Sequence, residues 1–560
     1  MFQQTMKRVS RRAEWGWLLV MVLCQAHSQT SVAADPSFTT GSGDAIIDFI
    51  NQQIRQGWQD NDVQPSPVAE DAEWCRRVYL DLVGHIPPLE ELEAFLQDKD
   101  KNKRAKLIDR LLEDPGYVRH WTTIWTNLCI GQQTPRFVSR AGMQKFFREA
   151  FARNRPWKDV VIDLITAEGH YERNGAVNYI LAQLPQNNND DGVQLTAMTA
   201  RLFLGMQVQC TQCHNHPFNE WKQEQFWQFN SFFRQTGRRD HRKFNPQTGR
   251  LEDDYAEVVW RDFEGPVYFE KRNGLVQVAF PIYNGVEVSA DASTDRRKEF
   301  ARLITSGERP QIALAMVNRM WGHFFSFGFT RPVDDMGPHN PPSHPELLQR
   351  LADEFIKSGY DLKQLFRWIC NSEAYHLTSR MTAKNHQDNP AAGETPLFSH
   401  MYVKPMTAEQ LYDSLIVATN AHKSGRSGWE QAERQRQEWM QQFVRAFGND
   451  MAEETNSFDG TIPQALMMMN TNPRPQGDQP TLMSGAVSLE SGSHLHELLT
   501  GPGTETQKIQ KLFLTALSRY PTRNELQKMQ TIMRTYRDPR AAYQDLFWAL
   551  LNSNEFIFVH

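Results

Sequence analysis

Apolar residues recur at three- and four-residue spacing over most of this chain, the stripe that an α-helix presents to a core. Residues 71–83 carry Val78 and Leu82 in that register, and residues 104–112 carry Leu107 and Leu111. Pro87-Pro88 breaks the first run. Leu89-Glu90-Glu91-Leu92 opens another, with its acids in the first turn, where the helix dipole favours them. Ser343-His344-Pro345-Glu346 and Thr522-Arg523-Asn524-Glu525 read as capping boxes, each ahead of an amphipathic run. Ala432 to Phe443, rich in Gln, Arg and Glu, reads as a polar helix.

Four segments repeat a common plan: an apolar helix, a short polar break, then an aromatic. They are Lys106–Tyr117, Val160–Tyr171, Leu362–Tyr375 and Leu546–Phe556. The pattern predicts an aromatic folded back over each helix end. The spacing is too irregular for a solenoid.

Residues 255–288 break the helical rule. Val258-Val259-Trp260, Val267-Tyr268-Phe269 and Val276 to Phe280 are short β-type runs, separated by Gly265-Pro266 and Asn273-Gly274. They predict a small β-meander between two helical parts. Segments 384–397 and 471–505, rich in Asn, Pro, Gly and Ser, read as polar linkers. The expected fold is mainly α: a multi-helical, two-module protein with a small inserted β-meander. Its parts are a signal peptide over 1–34, a helical first module over 35–250, the β insert over 251–290 and a helical second module over 291–560.

The N-terminus supports the signal. Lys7, Arg8, Arg11 and Arg12 precede a short apolar core from Trp15 to Leu23, and Val32-Ala33-Ala34 offers small residues before Asp35. Ser10-Arg11-Arg12 suggests a twin-arginine signal, but Glu14 falls where an apolar residue is expected. Cys24 suggests a lipid-modified cysteine, but Leu23 before it matches poorly. No later apolar run reaches the roughly 18 residues of a membrane span. The expected location is therefore periplasmic or extracellular, with no transmembrane span. A net charge of −5, with acids and bases mixed throughout, gives no reason to expect a nucleic-acid partner. Tryptophan (15) and phenylalanine (33) are abundant, but most fall in helical core patterns and so do not mark a sugar-binding surface.

The chemistry concentrates at Cys210-Thr211-Gln212-Cys213-His214. Two thiols three positions apart with a histidine directly after is the spacing that attaches a c-type haem, with the imidazole as proximal ligand. Leu195, Met198, Leu202 and Met206 place the pair near a helix C-terminus, where the dipole works against a thiolate. No βαβ pattern surrounds it, so thioredoxin-type chemistry is disfavoured. Zinc is a second reading, with Cys210, Cys213, His214 and His216 as N/S ligands. A site using Cys210, Cys213 and His216 needs a distant partner such as His170 or His241. A disulfide or a pair of packed thiols is the third. Cys75, Cys129 and Cys370 are scattered and form no disulfide framework. Asn215-His216-Pro217-Phe218 replaces the glycine-rich loop usual after a small cytochrome's haem motif, and no sixth iron ligand stands out.

Arg201 to Trp221, which contains this motif, resembles the central motif of a planctomycete family of secreted proteins. That family carries two modules of unknown function in tandem, the first cytochrome-like. Arg76 to Pro88 looks like the start of the first module. Val317–Phe325, Pro332–Met336, Asn340–Glu346 and Gln464–Met467 look like the second. The resemblance implies export and a two-module layout, but no established reaction. It also implies other exported proteins of a polysaccharide or sulfatase system as partners. Many relatives carry a separate N-terminal cytochrome c domain, which is not seen here.

The second module has its own polar cluster: Asn318, Arg319, His323, Asp334, Asp335, His339 and His344. Its readings are an acid-base or metal site, or caps and buried hydrogen-bonded pairs around Arg319. Adjacent Asp334 and Asp335 are weak support for glycosidase chemistry, which needs carboxyls on either side of one bond. The leading functional reading is a haem-c-dependent redox or electron-transfer protein using Cys210, Cys213 and His214. The alternative is a non-redox scaffold or glycan-associated binding protein with a structural zinc or disulfide site.

Overall fold

The computed structural model describes residues 44–184, 191–307, 310–426, 428–447, 468 and 481–560. The signal segment 1–34 and the Gln464–Met467 motif lie outside them. The first described helix, Ala45–Asp60, shows the local logic: Ile46, Ile47, Ile50, Ile54 and Trp58 form one buried stripe. The Asp44 carboxylate accepts from the Ile46 N–H at 2.9 Å and caps an otherwise orphan donor. Helix accounts for 55% of the described residues and each sheet among them has only two or three strands, so the fold is mainly α, as the periodicity predicts. Asp71–Val83, Leu89–Gln97, Lys103–Leu112 and Trp429–Phe447 are helices where the pattern places them.

The buried side chains form two clusters. One runs from Ile46 to Tyr402 and joins helices of both expected modules. Trp121 stacks on Phe366 within it, with ring centres 4.4 Å apart. The other gathers Met406 to Val559 and adds Leu80 and Ile86. Helix Asp71–Val83 belongs to both, and every residue from Trp74 to Val83 is buried.

Arg76 and Arg77 on that helix are fully buried. Arg76 donates to the Ala516 carbonyl at 3.0 Å and the Phe556 carbonyl at 2.8 Å. Arg77 donates to the Tyr375 carbonyl at 2.7 Å and pairs with Glu73 at 3.1 Å. Phe556 and Tyr375 are the aromatics that end two of the sequence repeats. Their surroundings match: Ser553 and Ser372 each donate 2.7 Å to a carbonyl three residues back, Leu550 and Ile369. Tyr375 reaches back to the thiol of Cys370, which ends its preceding helix, and both aromatics belong to elements of their own. Each lies in a new short helix, Asn554–Ile557 or Glu373–His376. Tyr117 likewise lies within Pro115–Ile130, opened by the Asp114 cap. The second repeat departs, because Tyr171 follows a short strand, Gly169–His170.

The β region reaches further back than 251. Thr236–Asn245 pairs antiparallel with Arg250–Trp260, and Gly169–His170 adds to the outer side of the latter. Two small hairpins follow, Val267–Glu270 with Val276–Ala279 and Ile282–Tyr283 with Val286–Glu287. The two segments read as polar linkers are not alike. Segment 384–397 has little regular structure but is anchored: buried Asp388 accepts from Tyr402 Oη at 2.6 Å and from Ser399 Oγ at 2.6 Å. Within 471–505, the described part holds helices Leu482–Ala486 and His494–Thr500, capped by Thr481 and Ser493.

Arg76→Met keeps most of the aliphatic stem and removes the donors. Two carbonyls are then left buried without them, at about 1–3 kcal/mol for each unsatisfied group. The expected loss is about 3 kcal/mol, read as a lower urea midpoint. An unchanged midpoint would contradict the role given to Arg76.

Candidate functional site

Helix Val193–Leu204 leads into the cysteine motif. It stops at Gly205, whose φ of 65° lies in the left-handed region. A Cβ there would meet Met336 Sδ at 2.9 Å. Met336 N–H donates to the Gly205 carbonyl at 2.7 Å, so the helix end is docked on the second module. Met206, which the periodic pattern includes in the helix, lies beyond its end. The chain then forms a 3-10 turn, Gln209–Gln212. Three residues per turn bring positions i and i+3 into line. Thr211 turns inward and donates 2.5 Å to the Val208 carbonyl. Cys210 and Cys213 are exposed thiols on either side of it. Cys75, Cys129 and Cys370 are buried, and burial pushes each thiol well above its ordinary range.

The turn is held from behind. Gln223 Nε2 and Trp227 Nε1 both donate to the Gln212 carbonyl, at 3.2 and 3.1 Å. His214 Nδ1 lies 2.7 Å from the Asn215 carbonyl. A carbonyl only accepts, so Nδ1 carries the proton and Nε2 keeps its lone pair. His216 has the opposite arrangement. Its Nδ1 accepts from the Phe218 N–H at 3.2 Å, so the neutral ring carries its proton on Nε2. His170 and His241 stack on Tyr255, at 4.3 and 4.2 Å between ring centres. His241 also bonds Glu257 at 2.9 Å. Among the described residues, no three His, Cys, Asp or Glu side chains are grouped to hold a metal ion.

The second-module cluster separates into distinct tasks. Buried Asn318 donates to Thr330 Oγ1 at 2.8 Å and to the Val333 carbonyl at 3.0 Å, and accepts from Phe329 N–H at 2.7 Å. Asp334 accepts from Arg201 Nε at 2.6 Å and Gln207 Nε2 at 2.8 Å, tying the motif helix to the second module. Arg319 donates to the Arg201 carbonyl at 3.1 Å. His323 is half-buried against Trp121 and bonds the Asp81 carbonyl at 3.2 Å. His344 is buried and bonds Ser343 Oγ at 3.0 Å. That use of Ser343, with Pro345 at the first helical position, replaces the expected capping box: His344 is the N-cap and makes no side-chain cap bond. The Thr522–Glu525 box is present. Asp335 and His339 stand apart from these, paired at 3.0 Å, with the His339 ring 6.4 Å from the His216 ring.

His339 borders a cleft of about 1160 Å³. One wall is the loop after the cysteine motif, with Asn215, Asn219, Trp221 and Gln225. Tyr283 of the β region and Gln311, His339 and Asn340 of the second module complete it. Cys210, Cys213 and His214 are not among its lining residues. This cleft was not legible in the sequence. Its one signal was that Arg201–Trp221 and Asn340–Glu346 both stand out as motifs.

In chain made without haem, Cys210 and Cys213 are expected to react with a maleimide under native conditions. Cys75, Cys129 and Cys370 should react only after unfolding, with peptide mapping as the readout. A second expectation concerns acid. Burial holds His323 and His344 at about 4, below the ordinary 6.5. The unfolded chain therefore binds protons that the folded chain refuses. Stability is complete above about pH 6.5 and is lost as pH falls toward 4, by up to about 1.4 kcal/mol per pH unit for each site. His344→Gln should flatten the fall in urea midpoint between pH 7 and 5, and an equally steep fall would contradict it.

Two family models match in tandem. PSCyt2, described as "Protein of unknown function (DUF1549)", covers residues 49–238. PSD1, described as "Protein of unknown function (DUF1553)", covers residues 296–533. Strands Arg250–Trp260 through Val286–Glu287 fall between the matches, and the cleft draws residues from both matched regions. No curated protein and no solved structure matches the chain. The chain belongs to the planctomycete-type family that carries these two modules of unknown function in tandem.

Proposed function

We propose that this is an exported electron-transfer protein that carries haem c covalently on Cys210 and Cys213, with His214 as iron ligand. One observation carries the reading: the two exposed thiols flank an inward Thr211 on a 3-10 turn, while His214 Nδ1 is engaged by the Asn215 carbonyl. The donor set fits. Thioether formation needs two accessible thiols on neighbouring positions, and iron needs an imidazole lone pair fixed by a bond at the other nitrogen. Haem c bound there supplies one-electron redox chemistry.

The chain's own residues provide the frame. Thr211 anchors the turn to Val208, Gln223 and Trp227 fix the Gln212 carbonyl, and Asn215 sets the His214 tautomer. A zinc site with His216 gains no such support, because His216 presents an N–H in place of a lone pair. Export rests on the basic, apolar and small-residue pattern of residues 1–34. No described helix is long and apolar enough to cross a membrane.

The exposed thiol pair also supports a second reading, a structural disulfide in an exported scaffold. Purification from the exported fraction of a host that matures c-type cytochromes separates the two. The expected result is a Soret band and a mass increased by one haem, both lost in Cys210→Ser with Cys213→Ser. An absent Soret band with the mass of the unmodified polypeptide overturns the haem reading. A mass lower by two hydrogens identifies the disulfide, and stoichiometric zinc by metal analysis identifies the zinc site.

A further inference from the structure

We propose that the cleft between the cysteine-motif loop and the second module binds a neutral oligosaccharide chain. The proposal is independent of what occupies Cys210 and Cys213, which do not line the cleft.

The walls are built from amides held at one end. On the loop side, Asn215, Asn219 and Gln225 each use the side-chain oxygen to accept a backbone N–H: that of Gln223 at 3.0 Å, Trp221 at 3.0 Å and Lys222 at 2.9 Å. Their NH₂ ends remain as donors. The Asn219 NH₂ is buried with no hydrogen-bond partner among the described residues. A buried, unpaired donor of this kind costs about 1–3 kcal/mol unless something accepts from it.

The opposite wall is arranged the other way. Gln311 donates its NH₂ to the Leu204 carbonyl at 3.0 Å. Asn340 donates to the Arg331 and Asp335 carbonyls, both at 2.9 Å. Their oxygens remain as acceptors. One wall therefore offers oriented donors and the other oriented acceptors. Hydroxyl groups, which donate and accept at the same atom, satisfy both.

Charge and surface chemistry narrow the class. Lys222 and Glu220 contribute one charge of each sign to the lining, and His339 is already paired with Asp335. The lining therefore has no excess charge to select an ionic ligand. Trp221, half-buried at the lining, provides aromatic surface for the C–H face of a sugar ring. At about 1160 Å³ the cleft exceeds the roughly 300–1,000 Å³ of small-molecule sites. That leaves room for several linked rings.

The test is calorimetric titration of the full mature chain with neutral gluco-, xylo-, manno- and galacto-oligosaccharides, and with sulfated and uronic-acid oligosaccharides in parallel. The expected result is saturable binding of a neutral chain that survives high salt. Gln225→Ala, at an exposed position, and Asn219→Ala should each weaken it by about tenfold, a loss of about 1.4 kcal/mol. Near-UV circular dichroism verifies that the variants are folded. Three results overturn the proposal: no neutral chain binds, charged chains bind preferentially with affinity that falls as salt rises, or both variants bind as the parent does. The Soret band is a separate readout. Loss of sugar binding with the band intact, or the reverse, shows which of the two proposals has failed.

Discussion

Two guanidinium groups buried side by side on one helix hold this molecule together. Burying an ion costs several kcal/mol unless its donors are satisfied. Arg76 and Arg77 meet most of that requirement with backbone carbonyls at the ends of other helices, and only Arg76 Nε of their donors is left without a partner among the described residues. Burial lowers Arg76 to about 10, so it stays charged at neutral pH. A carbonyl at a helix end is fixed by the helix behind it. Each bond therefore sets the position of a whole element, not of one side chain. Because Arg76 reaches Phe556 and Arg77 reaches Tyr375, one turn of helix Asp71–Val83 fixes the second core and the first together. Asp81 extends the arrangement: it pairs with Lys404 at 2.8 Å and accepts from Tyr375 Oη at 2.7 Å. Lys404 begins the short strand that pairs with Phe558-Val559.

A second charged contact plays the same part at the cleft. Arg201, in the last turn of the helix before the cysteine motif, bonds Asp334 of the second module, and Gln207 bonds the other carboxylate oxygen. Asp334 is buried, so this pair is screened less than a surface pair. Asn318 holds the segment on which Asp334 sits, through Thr330 and Val333. The polar cluster of the second module thus acts mainly as scaffolding that places the two walls of the cleft. His339 is the member left at its edge, paired with Asp335.

Local physics made the helices legible. Leu107 and Leu111 carry their burial in the spacing, and the Thr522 capping box is read from four residues. The same four-residue pattern failed at Ser343, because Pro345 takes the first helical position and Ser343 binds the His344 ring instead. Strand Thr236–Asn245 was not legible, since Arg238 to Lys243 is a run of charged residues with no apolar alternation. Its pairing with Arg250–Trp260 supplies what its composition lacks. The repeats were visible, but the position of their aromatics was not. At Phe556 and Tyr375 it involves Arg76 and Arg77, hundreds of residues away along the chain. The cysteine motif was readable as a site. The cleft beside it was not, because its walls come from segments near 219, 283, 311 and 340 that only the fold brings together.

The two candidate sites share one loop, and Asn215 is where they meet. Its backbone carbonyl takes the His214 Nδ1 proton, while its side-chain oxygen takes the Gln223 N–H and its amide faces the cleft lining. Gln223 in turn bonds the Gln212 carbonyl between the two cysteines. The orientation of His214, the start of helix Gln223–Asn230 and one wall of the cleft therefore depend on the same few bonds. A change in the backbone at Asn215 cannot alter one without the others. This gives a physical reason for the motif to continue past His214 through Asn215-His216-Pro217-Phe218 to Trp221. The thiols and the imidazole need only the first five residues, but the tautomer and the wall need the rest.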